Sequence, residues 1–141
     1  MDRVFIRLGS VMAFLAVLLG AMGAHVLRGK LPALQMEDYQ VGAQYHMVHA
    51  LGLIMVGLCM ERLGNSKNAL AAGWLLFVGI CCFSGGLYAF ALTGNRAFGV
   101  TAPIGGLSFM IGWLLLAAAA WKPAVRYPDS LKESVKQESA P

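Results

Sequence analysis

The sequence predicts an all-α fold: an integral membrane bundle of four transmembrane helices with both termini in the cytoplasm. The first observation is composition, since 58% of the 141 residues are hydrophobic and only 13% are charged, whereas about a quarter are charged in soluble domains. The second is a mean hydropathy of +0.65. The third is four apolar runs, each near the length of about 20 residues that a helix needs to cross a bilayer. None of them alternates polar and apolar residues as a membrane strand would.

The first run covers about residues 4–26 and is interrupted only by Arg7. It follows a basic amino terminus, as a secretory signal peptide does. The apolar core of a signal peptide is about 7–15 residues long, however, and this run is longer. We therefore expect the first helix to be retained.

The second run covers about residues 44–60, and residues 31–43 precede it as a predicted interfacial helical lead-in. Pro32 suits the first turn of a helix, because proline lacks the backbone N–H that such a position leaves unpaired. Glu37 and Asp38 are acidic and favour the positive end of the helix dipole.

The third and fourth runs, about residues 69–92 and 104–121, contain no charged residue. Thr101 is predicted to cap the fourth helix, and Pro103 to lie in its first turn. Residues 123–141 are polar and are predicted to form a disordered cytoplasmic tail.

The distribution of Lys and Arg predicts the orientation. Four crossings place both termini on one side, and that side carries eight of the 11 basic residues: Arg3, Arg7, Arg62, Lys67, Lys122, Arg126, Lys132 and Lys136. The other side carries Arg28, Lys30 and Arg96. The positive-inside rule then predicts cytoplasmic termini and a multi-pass location in the bacterial inner membrane. Because these residues flank apolar runs, we expect the lipid bilayer and not nucleic acid to be their partner.

This topology brings the polar residues of the spans into one layer in the outer leaflet. All three histidines, His25, His46 and His49, fall at the outer ends of the first two helices. We expect a structural polar layer around them, made of Gln44, Tyr45, Ser84, Tyr88, Pro103, Gly105 and Gly106.

Small residues predict where helices pack closely, because helices in lipid associate through close fit. One predicted seam in the first helix consists of Ala16, Gly20 and Ala24, and one in the fourth of Ser108 and Gly112. The glycine pairs Gly85–Gly86 and Gly105–Gly106 are also predicted packing points. In the second helix one broad face is predicted to point into the bundle: Gly42, Tyr45, His46, His49, Gly52 and Val56.

Three interpretations of the histidines follow from their placement, and a proton or ion pathway has the least support, because the inner halves of the spans carry few polar residues. Three imidazoles at His25, His46 and His49 would suit a zinc or copper ion, and two on facing helices would suit haem. Alternatively, neutral imidazoles tie helices together by hydrogen bonds, with no cofactor. The cysteines, Cys59, Cys81 and Cys82, are expected to be reduced and buried.

Four segments occur in an order that resembles a known family: Gly20-Ala-Met-Gly-Ala-His25, Gln44-Tyr-His-Met-Val-His-Ala50, Phe83-Ser-Gly-Gly-Leu-Tyr88 and Thr101-Ala-Pro-Ile-Gly-Gly106. Together they resemble the small four-helix membrane proteins catalogued as domain of unknown function 423, which include eukaryotic transmembrane protein 256. The resemblance covers about residues 4–122. It implies a four-helix membrane protein and implies no reaction or catalytic residue.

The sequence contains no catalytic motif that we can assign. It has no serine nucleophile in a strand–turn–helix setting and no phosphate-binding glycine loop. We therefore expect a non-enzymatic membrane protein that organises the membrane or envelope, or serves as a subunit of a complex, either with itself or with another membrane protein. The alternatives are a metal- or haem-binding protein and, with less support, a small ion or solute transporter.

Overall fold

The computed structural model describes residues 2–121, which form helices joined by short turns and contain no strand. Helix α1 comprises Asp2–Met22 and a π-helical turn, Gly23–Leu27, and α2 is Ala33–Cys59. Helix α3 comprises Lys67–Gly79, the π-helical turn Ile80–Ser84 and the final segment Gly85–Thr93. A 3₁₀ turn, Arg96–Val100, precedes α4, which is Thr101–Ala120. All four helices are long and apolar enough to cross a membrane. The predicted all-α fold with four membrane helices is therefore confirmed. The predicted tail at 123–141 lies outside the described residues.

All four helices begin before the boundaries predicted from the sequence, α2 by the largest margin. The lead-in at 31–43 and the run at 44–60 form one continuous helix that begins at Ala33, directly after Pro32. The boundary at residue 44 thus marks a change in polarity and not a break in the backbone. Helix α4 begins at Thr101, directly after the 3₁₀ turn.

The helices form two antiparallel pairs, α1 with α2 and α3 with α4, and the pairs meet where α2 packs against α3. Glycine allows the closest approaches. A Cβ atom on Gly9 of α1 would lie 2.8 Å from the carbonyl oxygen of Ala50 in α2. A Cβ atom on Gly112 of α4 would lie 3.4 Å from the carbonyl oxygen of Ala72 in α3. Gly112 and Ser108 are both buried, so the predicted seam of α4 is confirmed.

The larger core cluster is apolar. Near the amino terminus of α1, Phe5 is 1% exposed and lies against Gly73 of α3, where a Cβ atom would come within 2.5 Å of its ring. Its ring also meets Trp74 edge-on, with centroids 5.7 Å apart. The other buried members of this cluster are Ala50, Leu53, Val56, Met60, Ala69, Leu76, Ile80, Phe109 and Ala119.

Helix α1 departs from its predicted packing. Ala16 is buried against the bundle, with 3% of its surface exposed. A Cβ atom on Gly20 would meet no atom within 4 Å, and Ala24 is exposed. The predicted seam therefore enters the bundle only at Ala16, and the close contacts of α1 with α2 lie at Gly9 and Gly23, not at Gly20.

Candidate functional site

One face of α2 carries the buried polar residues. His46 and His49 are each 4% exposed, and Gly42, Gly52 and Val56 are buried on the same side of the helix. The prediction that this face points into the bundle is confirmed for these residues. For Tyr45 it holds only in part, because the ring packs on Phe83, with centroids 4.7 Å apart, but 43% of the residue is exposed.

His46 belongs to a chain of contacts that joins three helices. Its Nδ1 atom lies 3.3 Å from the hydroxyl of Tyr88 in α3. The ring of Tyr88 packs on the ring of Tyr39 in α2, with centroids 4.9 Å apart. The hydroxyl of Tyr39 donates to the backbone carbonyl of Leu19 in α1 at 2.8 Å. These polar contacts hold α1, α2 and α3 in one relative register.

Glycines make room for the two tyrosine rings. A Cβ atom on Gly23 in α1 would lie 2.6 Å from the ring of Tyr39. A Cβ atom on Gly42 in α2 would lie 3.3 Å from the ring of Tyr88. Tyr39 can therefore be almost fully enclosed, with 1% of its surface exposed.

His49 makes a different set of contacts. Its Nδ1 atom lies 2.7 Å from the backbone carbonyl of Tyr45. A carbonyl oxygen only accepts, so Nδ1 carries the proton, and in the neutral ring Nε2 is an acceptor. The imidazole stacks on Phe109 of α4, with centroids 3.4 Å apart and planes 13° apart.

A cleft lies beside His49, between α2 and α4. These two helices meet mainly through side chains and not through close backbone contact. The cleft has a volume of about 310 Å³, and its lining is mostly aromatic: Tyr45, His49, Phe83, Gly106, Phe109, Met110 and Trp113. We call it the aromatic cleft.

Two polar atoms are enclosed without a hydrogen-bond partner among the described residues, His46 Nε2 and Ser84 Oγ. Ser84 is fully buried at the end of the π-helical turn of α3. Gly42, one turn before His46, lies against the carbonyl of Ser84, since a Cβ atom there would be 3.5 Å from that oxygen. π-helical turns often occur at functional sites.

The start of α4 packs against the π-helical turn of α3. Thr101 was predicted to cap α4, but Val100 occupies that position without a side-chain hydrogen bond. The Thr101 hydroxyl instead lies 2.9 Å from the carbonyl of Cys82, to which it can donate, and it packs against Gly86. Gly105 lies directly on the backbone of Phe83. Ser108 donates to the carbonyl of Leu75 at 2.8 Å.

The remaining residues of the predicted polar layer lie outside these contacts. Gln44, Pro103 and His25 are exposed, with Pro103 in the first turn of α4 as predicted and His25 in the π-helical turn of α1. Within residues 2–121, no three His, Cys, Asp or Glu side chains come close enough together to hold a metal ion.

The cysteines are free thiols, but they are less buried than predicted: Cys81 is exposed and Cys59 and Cys82 are half-buried. Sulfur is weakly polar and is compatible with a surface that faces lipid.

Several residues of the site were not predicted. Tyr39 is seven residues before His46 and shares its helix face, but the sequence placed it in a separate lead-in. Phe109 and Trp113 are four residues apart, so they lie on one face of α4. That spacing was visible in the sequence, whereas their meeting with His49 depends on how α4 packs.

Four apolar helices around a small uncharged polar site define a small polytopic membrane protein. The family described as "Protein of unknown function (DUF423)" matches residues 19–106. The chain is 45% identical over 120 residues to UPF0382 membrane protein YwdK of Bacillus subtilis (strain 168), covering 85% of this chain and 98% of the relative. It is 48% identical over 120 residues to a UPF0382 membrane protein of Staphylococcus epidermidis (strain ATCC 12228), covering 85% and 97%. The chain belongs to this family of uncharacterised membrane proteins, as its resemblance implied. No solved structure matches it significantly.

Proposed function

We propose that this protein is a non-enzymatic subunit of a membrane assembly, which it joins through α1. The observation that carries the proposal is the low burial of this helix. Over the most apolar 18 residues of each span, 17% of α1 is buried, compared with 44%, 44% and 33% for α2, α3 and α4.

The outer half of α1 has features of a helix-packing surface. Gly20 and Ala24 are four residues apart, so they lie on one face, and the space beside Gly20 is open. Small residues at this spacing let a second helix approach closely in lipid. Apolar side chains flank them, with Val17 61% and Leu18 53% exposed. We propose that a second copy of the chain packs here.

The experiment measures the mass of the purified protein in a mild detergent by light scattering, corrected for bound detergent. We expect a multiple of the 15.0 kDa chain. Gly20→Leu should shift the protein to the monomer, because it fills the space that the second helix would use. The matched control is Gly85→Leu at an exposed helical glycine, where the nearest neighbour of a Cβ atom would be the Ile80 carbonyl oxygen at 4.0 Å. A monomeric wild-type protein with no co-purifying protein would contradict the proposal.

We further propose that the protein lies in the bacterial inner membrane with both termini in the cytoplasm. The support is the eight-to-three division of basic residues between the two sides of the four spans. The relatives are named membrane proteins, which agrees with this location.

Metal or haem binding is the second proposal. The observation that favours it is the buried Nε2 atom of His46, which has no hydrogen-bond partner within residues 2–121. Against it stands the exposure of His25, which lies apart from the contacts of His46 and His49. Purified protein without a histidine tag would decide, through an absorption spectrum and elemental analysis. Neither a Soret band nor stoichiometric zinc or copper is expected if the imidazoles serve only as hydrogen-bonding groups. A solute pathway has less support, because the larger core cluster is entirely apolar.

A further inference from the structure

His49 is a buried, hydrogen-bonding side chain in the lining of the aromatic cleft, and one of its two ring nitrogens has no hydrogen bond to the described residues. His49 is 4% exposed and its Nδ1 proton is committed to the carbonyl of Tyr45. Among the described residues, His49 Nε2 makes no hydrogen bond. The fully enclosed atoms without a partner are His46 Nε2 and Ser84 Oγ, so His49 Nε2 is not fully enclosed. It is therefore an acceptor that is open to the cleft.

The lining restricts what can occupy this space. None of the lining residues carries a formal charge, so a phosphate or carboxylate would find no counter-charge. The walls are flat rings, with Tyr45 and Phe83 4.7 Å apart and Phe83 and Phe109 5.7 Å apart between centroids. Flat rings pack well on such faces. A quaternary ammonium would also suit aromatic faces, but it would offer His49 no proton.

Size and position agree with a ring-shaped ligand from the bilayer. A volume of about 310 Å³ is at the lower end of the range for small-molecule pockets, about 300–1,000 Å³. It accommodates one ring and not a whole lipid. Tyr45 and Met110 at its edge are 43% and 60% exposed on the apolar surface, so a ligand can enter from the membrane.

We propose that the aromatic cleft binds the ring of an uncharged lipophilic compound that carries a hydroxyl group, of the phenol or hydroquinone class. The hydroxyl donates to His49 Nε2, and the ring packs among the aromatic side chains of α2, α3 and α4. This site does not depend on association through α1.

The first test compares two probes on the full-length protein in detergent. The probes are 4-heptylphenol and 4-heptylanisole, which share ring and chain but differ in the hydroxyl proton. The variant Trp74→Phe/Trp121→Phe leaves Trp113, a lining residue, as the fluorescent reporter. We expect saturable changes in Trp113 fluorescence with both compounds. The phenol should bind about 3–10-fold more tightly, which is the effect of one net hydrogen bond. No saturable change, or equal affinity for the two compounds, would overturn the proposal.

The second test locates the binding. His49→Phe keeps a ring on Phe109 but removes the acceptor, so the preference for the phenol should disappear while the anisole affinity stays the same. Gly106→Leu should abolish binding of both, because a Cβ atom there lies 3.7 Å from the Phe83 ring, an ordinary contact, and the rest of the side chain fills the cleft. Gly85→Leu should leave both affinities unchanged. A retained phenol preference in His49→Phe, or wild-type binding in Gly106→Leu, would contradict the assignment. The two-probe comparison on the reporter protein decides the question even where one of these variants does not fold.

Discussion

His46 and His49 share one face of α2, but their imidazoles are held in different ways. Polar groups in a membrane span are tolerated when neutral and hydrogen-bonded. His46 uses the Tyr88 hydroxyl of a neighbouring helix, whereas His49 uses the carbonyl of its own preceding turn. The first contact fixes helix register, and the second fixes the tautomer of a ring that borders a cleft. Two residues of the same type, three positions apart, therefore have different roles.

At the residue scale, the Tyr39 hydroxyl is predicted to contribute to stability. Tyr39→Phe removes its hydrogen bond to the Leu19 carbonyl but leaves the ring that packs on Tyr88. We expect the free energy of unfolding to fall by about 0.6 kcal/mol, and by no more than about 1.7, the range found for polar contacts between membrane helices. Titration with sodium dodecyl sulfate in mixed micelles, followed by far-UV circular dichroism, measures it.

Tyr45→Phe is the matched control for this change. Tyr45 lies on the same helix and is 43% exposed. The Tyr45→Phe protein should have the same free energy of unfolding as the wild type. If Tyr39→Phe and Tyr45→Phe lowered the free energy of unfolding equally, the hydrogen bond to the Leu19 carbonyl would not be a specific source of stability.

At the scale of the helices, the contact between α3 and α4 is set by adjacent glycines with different surroundings. Gly105 lies on the backbone of Phe83, so any side chain there must push the helices apart. Gly106 faces the aromatic cleft, where a Cβ atom would be 3.7 Å from the Phe83 ring. Alanine at either position adds the same methyl group, so the two variants differ only in where that group lies.

Gly105→Ala is predicted to destabilise the bundle by about 1–3 kcal/mol, the usual cost of overpacking. Gly106→Ala should keep the wild-type stability or exceed it slightly, because alanine favours a helix over glycine. The same detergent titration measures both. Equal effects of the two substitutions would contradict the close approach at Gly105.

At the scale of the whole molecule, the four spans within residues 2–121 predict that both termini lie on the same side of the membrane. Alkaline phosphatase fused to the carboxyl terminus should be inactive in a Gram-negative host, because the enzyme matures only in the periplasm. A green fluorescent protein fusion at the same position should fluoresce. Strong phosphatase activity with a dark fluorescent fusion would reverse the proposed orientation.

Sequence reasoning was most successful where one helix at a time suffices. The burial of His46, His49, Gly42 and Gly52 follows from helical spacing within α2, and it was predicted correctly. The role of Thr101 was not, because its hydroxyl lies within hydrogen-bonding distance of the Cys82 carbonyl of α3 and of the Phe98 carbonyl of the 3₁₀ turn, and it does not cap α4. The predicted seam at Gly20 also depended on another helix, and the close contacts with α2 occur at Gly9 and Gly23 instead.

The sequence by itself determined that the chain is a four-helix membrane protein and that His46 and His49 lie on a buried face of the second helix. Composition, run length and helical period are local properties, so no tertiary contact was needed. Only the tertiary structure decided that His46 joins Tyr88, that His49 borders an aromatic cleft and that much of α1 remains uncovered. These outcomes depend on which glycines let neighbouring helices approach each other closely. In lipid that choice comes from close fit between helices, which a single sequence does not display.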